Sequence, residues 1–326
     1  MRANGFVRII QRTGAALAAA STILAMPAAA QSPQPVKLLV GYAAGGPVDT
    51  AARQFAAAFS KTLDMPVIVE NRPGVSGALA GAAVAKSEPN AQMLYFAASP
   101  TVTITPHVVR SMPFDPIKDL TPVAPIVAYA NVLVVNKDQP FRTIPELIAH
   151  AKANPGQLAF GSAGMGASNH LSGELFAQRT GTRLTHVPYK GNAPAMTDVI
   201  SGQISMMFDI IGTARNYISA GRVRVLAVTS PGRNASLPDV PSMQEAGIPG
   251  YDVQGWYALY APNGLPADRL ARYQEASRKA LDNEELKRKL IEQGYDLWQG
   301  TGQDVTDRVA KELALWAAVT KGMKFE

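Results

Sequence analysis

Two glycine-rich turns hold the residues of this chain best suited to chemistry, and the chemistry they suit is the holding of an anion. The first is Gly41-Tyr-Ala-Ala-Gly-Gly-Pro-Val-Asp-Thr50, set between the largely apolar strand Val36–Val40 and a run in which Ala52, Phe55, Ala56, Phe59 and Leu63 recur at helical spacing. Pro47 suits a first helical position, because its missing N–H would be unpaired there anyway, and Asp49 in the first turn complements the helix dipole. The glycines clear side chains from the place where several unpaired backbone N–H groups face outward, which makes an anion site without a lysine or arginine. The second turn, Ser162-Ala-Gly-Met-Gly-Ala-Ser-Asn-His170, repeats the design: residues 158–161 read as a strand, and Leu171, Leu175 and Phe176 mark the apolar side of a helix with Ser168 as its N-cap.

Other polar residues follow strands in the same way. Ser99 and Thr101 come after Met93–Ala98, Tyr189 and Lys190 after residues 184–187, and Asp209 after residues 204–208. Hydroxyls on such loops are ready donors to a carboxylate. Asp209 suits either a contact to a ligand hydroxyl, amine or bridging water, or a turn cap; Tyr189 suits a side chain that closes over a ligand. Enzyme signatures are missing: Gly161-x-x-Gly164-x-Gly166 has the wrong spacing for a dinucleotide fingerprint, no Gly-Lys-Ser/Thr follows it, and there is no G-x-S-x-G elbow. His107, His150, His170 and His186 are scattered without metal-ligand spacing. No catalytic residue, metal or cofactor is expected.

The elements that must position these turns alternate. Strand Val36–Val40, a helix over 48–63, a strand over 66–70, a small-residue helix over 77–86 and strand Met93–Ala98 make βαβ units, which imply a parallel sheet with its loops gathered at the strands' C-terminal ends. In an open α/β sheet the ligand crevice lies outside those ends, so 41–50 and 99–103 should face one crevice. Residues 123–135 are long for one strand and suit a strand passing between domains. A second α/β unit follows. Thr143-x-x-Glu146 reads as a capping box for a helix over 145–153, and Ser242-x-x-Glu245 as another for a short helix closed by Gly247. Further strands are expected at Val223–Val228 and 255–260, and helices at 194–200, 266–293 and 304–321.

With 326 residues, 47% of them hydrophobic, the chain is long enough for two globular domains. Its start differs: Arg2, Arg8 and Arg12 precede an apolar run from Ala15 to Met26, and Ala28-Ala29-Ala30 offers a small-residue cleavage site, the pattern of an export signal. Removing residues 1–30 takes three arginines and no acid, so the formal charge falls from +6 to +3 and much of the basic character belongs to targeting. No Lys/Arg stripe interleaved with aromatics remains, which argues against nucleic acid. The chain has no cysteine, so disulfides, thiolate catalysis and cysteine-held metal are excluded.

Seven segments, in order along the mature chain, carry a resemblance. They are Gly41-Tyr-Ala-Ala-Gly-Gly-Pro-Val-Asp49, Val69-Glu-Asn-Arg-Pro-Gly74, Pro113-Phe-Asp-Pro-Ile-Lys-Asp119, His186-Val-Pro-Tyr-Lys-Gly191, Met207-Phe-Asp209, Leu226-Ala-Val-Thr-Ser230 and Pro238-Asp-Val-Pro241. Together they resemble the Bug-type periplasmic solute-binding receptors of tripartite tricarboxylate transporters. The resemblance implies an α/β, two-domain type II periplasmic-binding-protein (Venus flytrap) fold with two crossing hinge strands. The domains would be residues 31–130 plus 255–326, and 131–254. It also implies a monomer in the periplasm that holds a small carboxylate and delivers it to a permease of one large and one small subunit. Carried onto this chain, the first-domain contacts are Tyr42, Ala44, Gly45, Gly46, Asp49, Ser99 and Thr101, and the second-domain contacts are Ser162, Gly166, Ala167, Ser168, Tyr189 and Asp209. One departure is the lead into the glycine pair, Tyr42-Ala43-Ala44, where the family often has an aromatic-Pro-Pro/Ala sequence. Tyr42, Tyr189 and Trp256 on the cleft would leave aromatic acids open. A ligand sensor for a signalling system and a periplasmic enzyme acting on a small acid are the alternatives.

Overall fold

A computed structural model describes residues 34–189 and 191–321; the expected export signal and Lys190 lie outside the described residues. The described chain is built on two mixed sheets that share one strand. In the first sheet β1 (Val36–Val40) pairs in parallel with β2 (Val67–Asn71) and β3 (Met93–Ala98), and β3 pairs antiparallel with β9 (Gln254–Pro262). The shared strand is β4 (Leu120–Asn136). Its residues up to Ala130 pair with β9 and with the short β10 (Asp296–Leu297), whereas Asn131 onward pairs with β7 (Met206–Ile210) and β8 (Val223–Val228). In the second sheet β5 (Ala159–Ser162) runs parallel to both β7 and β6 (Thr185–Pro188). Every β4 residue from Val123 to Asn136 is buried, which is why the sequence shows a long apolar stretch, broken only around Asn131, and not an alternating one.

Helices cover both sheets. Helix α1 (Pro47–Leu63) buries Ala52, Phe55, Ala56 and Phe59, and the Phe55 and Phe59 rings, one turn apart, stack at 5.1 Å. In chain order follow α2 (Ala78–Ala85), the one-turn α3 (Thr105–Val108), α4 (Ile144–Ala153), α5 (Ser168–Thr180), α6 (Asn192–Ser201), α7 (Ile211–Ser219), α8 (Ala267–Leu281), α9 (Glu284–Glu292) and α10 (Gly302–Val319). The last of these is a strap: Val305 and Val309 pack into the core beside the first sheet, and Trp316 and Val319 into that beside the second. Between them Glu312 accepts the Trp256 indole N–H at 2.9 Å, the Thr103 hydroxyl at 3.2 Å and Arg308 Nε at 2.8 Å.

Three local expectations need correction. The helix expected over 266–293 is two, because the Asn283 side chain accepts the Leu286 N–H and starts α9 afresh. Ser242 and Glu245 do exchange capping bonds, at 3.2 and 2.8 Å, but the segment is a set of turns, too short for a helix before Gly247. Ser168 is the first residue of α5 and not its cap; Ala167 takes the cap position with no side-chain bond.

At the point where β4 changes partners, the Asn131 N–H donates to the Thr229 hydroxyl at 2.8 Å and the Val253 N–H to the Thr229 carbonyl at 3.0 Å. One step away Tyr129 lies opposite Gly255, and its ring fills the space a side chain there would need. Gly255→Ala is therefore expected to destabilise the protein by about 1–3 kcal/mol, the usual result of overpacking. The urea midpoint checks this; an unchanged midpoint would mean the Tyr129 ring moves freely.

Candidate functional site

A cavity of about 790 Å³ opens between the C-terminal ends of β1 and β3 in one sheet and of β5, β6 and β7 in the other. Four helices start on it: α1 at Gly46-Pro47-Val48, α5 at Ala167-Ser168-Asn169, α6 at Gly191-Asn192-Ala193 and α7 at Ile210. None of the four has a side-chain cap. Of the helices that start elsewhere, α4, α9 and α10 are capped by Thr143, Asn283 and Thr301, and α2, α3 and α8 have no side-chain cap. The backbone N–H groups of Val48, Asp49, Ser168 and Asn169 have no partner among the described residues. Helix starts concentrate unpaired donors and positive dipole ends, so four of them around one space favour an anion. No lysine, arginine or histidine lines the cavity among the described residues.

Each turn is held by a buried carboxylate that does not itself reach the cavity. Asp49 accepts the Gly45 N–H at 2.8 Å and Arg53 Nε at 3.0 Å on one oxygen, and the Asn71 amide at 2.8 Å on the other. The same amide donates to the Tyr42 carbonyl at 3.0 Å, so Asp49 and Asn71 fix both ends of the turn. Burial opposes the Asp49 charge, but Arg53, the Gly45 N–H and Asn71 outweigh it and hold the carboxyl below its ordinary range. In the other lobe Asp209 accepts the Asn192 amide and, at 2.8 Å, the Ile210 N–H. Burial pushes its carboxyl up to about 6. Asn192 is in turn 3.4 Å from the Asn169 amide, and the Asn169 carbonyl oxygen accepts the Ala163 N–H at 3.1 Å.

Six of the thirteen expected contacts line the cavity: Tyr42, Gly45, Gly46, Gly166, Ala167 and Ser168. The other seven do not. Ala44 is exposed beside the turn, and Asp49 and Asp209 hold the turns as described. Ser99 accepts the Trp256 N–H at 3.1 Å, and Thr101 donates to the Ser76 carbonyl at 2.7 Å. Tyr189 turns to Asp198, donating at 2.6 Å, and burial together with that carboxylate pushes its hydroxyl up to about 12. Trp256 is fully buried. Sequence reasoning passed over Asn169, Asn192, Ser76, Tyr129 and Tyr257, all on the cavity. The position of Asn192 beside a helix-opening glycine was the one available signal; the tyrosines lie in strands and carry no signal of their own.

Ser162 and His186 look at first like a nucleophile and base, with Oγ 2.6 Å from Nε2. Yet Ser162 is fully buried and off the cavity, its Oγ also accepting the Gly164 N–H at 3.1 Å. The His186 ring stacks at 4.0 Å on His170, whose Nδ1 accepts the Gly166 N–H at 3.0 Å. This pair shapes the second glycine turn from behind.

Two α/β lobes joined by a shared strand, with an anion-type cavity between them, define a solute-binding protein. A family model described as tripartite tricarboxylate transporter family receptor matches residues 51–324, and the chain belongs to that family. A relative in Cupriavidus necator, the UPF0065 protein in gbd 5'region, is 36% identical over 94% of this chain and 95% of its own. Among solved structures, R. palustris Rpa4515 with adipate is similar at TM-score 0.81 and 33% identity, covering 89% of this chain and 97% of that one. MatC from Rhodopseudomonas palustris with bound malate is similar at TM-score 0.78 and 30% identity, covering 88% and 99%.

Burial pulls His170 down to about 3, with His186 adding to the effect, and pulls His186 down to about 4. Both folded values lie below an unfolded histidine near 6.5. Their contribution to stability is therefore full above about pH 6.5 and is lost as pH falls through about 4 and then 3. Asp209 acts oppositely, since its raised folded value makes stability rise as pH falls from about 6 to about 4. The difference between parent and His186→Phe isolates the histidine contribution. Urea midpoints from pH 7.5 to 4.5 should decline less steeply in the variant; parallel profiles would mean His186 is already protonated when folded.

Proposed function

We propose that this receptor works in the periplasm, captures a small organic carboxylate between its lobes without chemistry, and delivers it to a membrane permease of one large and one small subunit. The observation that carries this reading is the convergence of four uncapped helix starts, two lobes contributing, on one cavity without a cationic side chain among the described lining residues. Such a site binds a carboxylate through backbone N–H groups, the Asn192 and Asn169 side chains and bridging water. Relatives of similar structure holding adipate and malate support the ligand class. Residues 1–30 are then an export signal cut near Ala30.

The domains are residues 31–130 with 255–326, and 131–254, and they close by rotation where β4 passes from Ala130 to Asn131 and where the chain enters β9 near Gln254. A ligand touching α1 on one side and α5 and α6 on the other gains its full set of contacts only in the closed form, so it shifts the hinge equilibrium toward closure. The permease reads that closed shape, and the receptor acts as a monomer. The burial of Ser162 supports binding over hydrolysis, because the one serine–histidine pair at the site cannot reach a substrate.

A thermal-shift screen of small carboxylates against their uncharged amides tests this directly. An acid present at 100 times its dissociation constant should stabilise the fold by about 2.7 kcal/mol, and its amide should not. Asn192→Ala should weaken the best acid about tenfold, the loss of a hydrogen bond to a charged group. Equal stabilisation by acids and amides would refute the anion site.

A further inference from the structure

The cavity floor selects among carboxylates, and we infer that the ligand is an arene carboxylate, a carboxyl group on a flat unsaturated ring. This rests on the carboxylate reading and narrows it. Three tyrosines, Tyr42, Tyr129 and Tyr257, line the side of the cavity that belongs to the first sheet. Their rings continue a stack from the core: Phe96 to Tyr257 at 5.6 Å, Tyr257 to Tyr129 at 5.2 Å. What matters is where their hydroxyls go. Tyr42 spends its hydroxyl on the Ser76 carbonyl at 3.2 Å and on Thr101 Oγ1 at 3.1 Å. Tyr257 pairs with the Tyr295 hydroxyl at 3.5 Å. Tyr42, the most exposed of the three, thus gives the cavity ring carbon while its hydroxyl is engaged elsewhere, and the buried Tyr129 and Tyr257 rings back it.

The Tyr42 wall is fixed, not adaptable. Gly74, Val75, Ser76 and Gly77 take φ of +134°, +49°, +51° and +92°, and a β-branched residue at positive φ is a strained one. That turn places the Ser76 carbonyl to accept both the Tyr42 and the Thr101 hydroxyls. A rigid aromatic face favours a flat ring laid offset or edge-on against it, the arrangement that aromatic quadrupoles prefer. A hydroxylated aliphatic acid meets the reverse conditions. Its hydroxyls would be desolvated against ring carbon.

Titration calorimetry on the receptor purified from the periplasm tests the assignment with benzoate, terephthalate, cyclohexanecarboxylate, adipate, citrate and benzamide. One or both arene acids should bind at least about tenfold tighter than cyclohexanecarboxylate, which has similar bulk but is not flat, and than adipate or citrate. Tyr42→Ala should weaken the arene acid by about tenfold and by more than it weakens adipate, and its thermal midpoint verifies that it folds. If cyclohexanecarboxylate, adipate or citrate binds as tightly as the arene acids, the inference falls while the carboxylate reading stands. If benzamide matches benzoate, or no acid binds, both fall together.

Discussion

Backbone N–H groups at a helix start are donors with no partner in their own helix, and leaving several of them unpaired in one half-enclosed space is tolerable only if water or an anion covers them. That condition organises the site. The starts of α1, α5, α6 and α7 meet at one cavity, and none of them has a side-chain cap. Pro47 contributes to the same end, since a proline at a first helical position removes a donor that would otherwise crowd the turn. Glycine contributes through conformation: Gly45, at φ +80°, lets the chain reverse just before α1 while its own N–H turns inward to Asp49.

Holding donors toward solvent requires something behind them, and in both lobes that something is a buried aspartate. Asp49 ties Gly45 to Asn71 and so to β2; Asp209 ties Asn192 to the end of β7. The two are alike in place and unlike in electrostatics. Arg53 and two further donors keep Asp49 ionised against its burial, while Asp209, with no cation bonded to it among the described residues, is raised to about 6. Neutral donors and a fixed backbone face the pocket, with charge kept behind its wall.

The lobes are joined by few segments, and those segments are tightly packed. β4 is shared by both sheets, Thr229 bonds the chain beside both crossings, and α10 packs into a core on either side. Glu312 sits in the middle of that helix, accepting from Trp256 and Thr103, one turn before Trp316 enters the second core. The junction therefore has defined bonds to preserve during any rotation, which limits the paths it can take.

Local chemistry in the sequence determined a good deal. The glycine turns, the helices that follow them, the alternation of strands and helices, and the length of β4 were all legible, because each depends on periodicity, on special φ angles or on the absence of a side chain. Local sequence also showed that the chain lacks cysteine. It could not say which polar residues face the cavity. Asp49, Thr101, Ser162 and Asp209 look like ligand contacts in a linear reading, yet each points at a backbone group or side chain brought near by folding: Gly45, Ser76, His186 and Ile210. Tyr129 and Tyr257 carry no signal of their own in the sequence, and only the pairing of β4 with β9 sets their rings beneath the cavity floor. Direction of a side chain is a property of packing between distant segments, and that was decided by the tertiary structure alone.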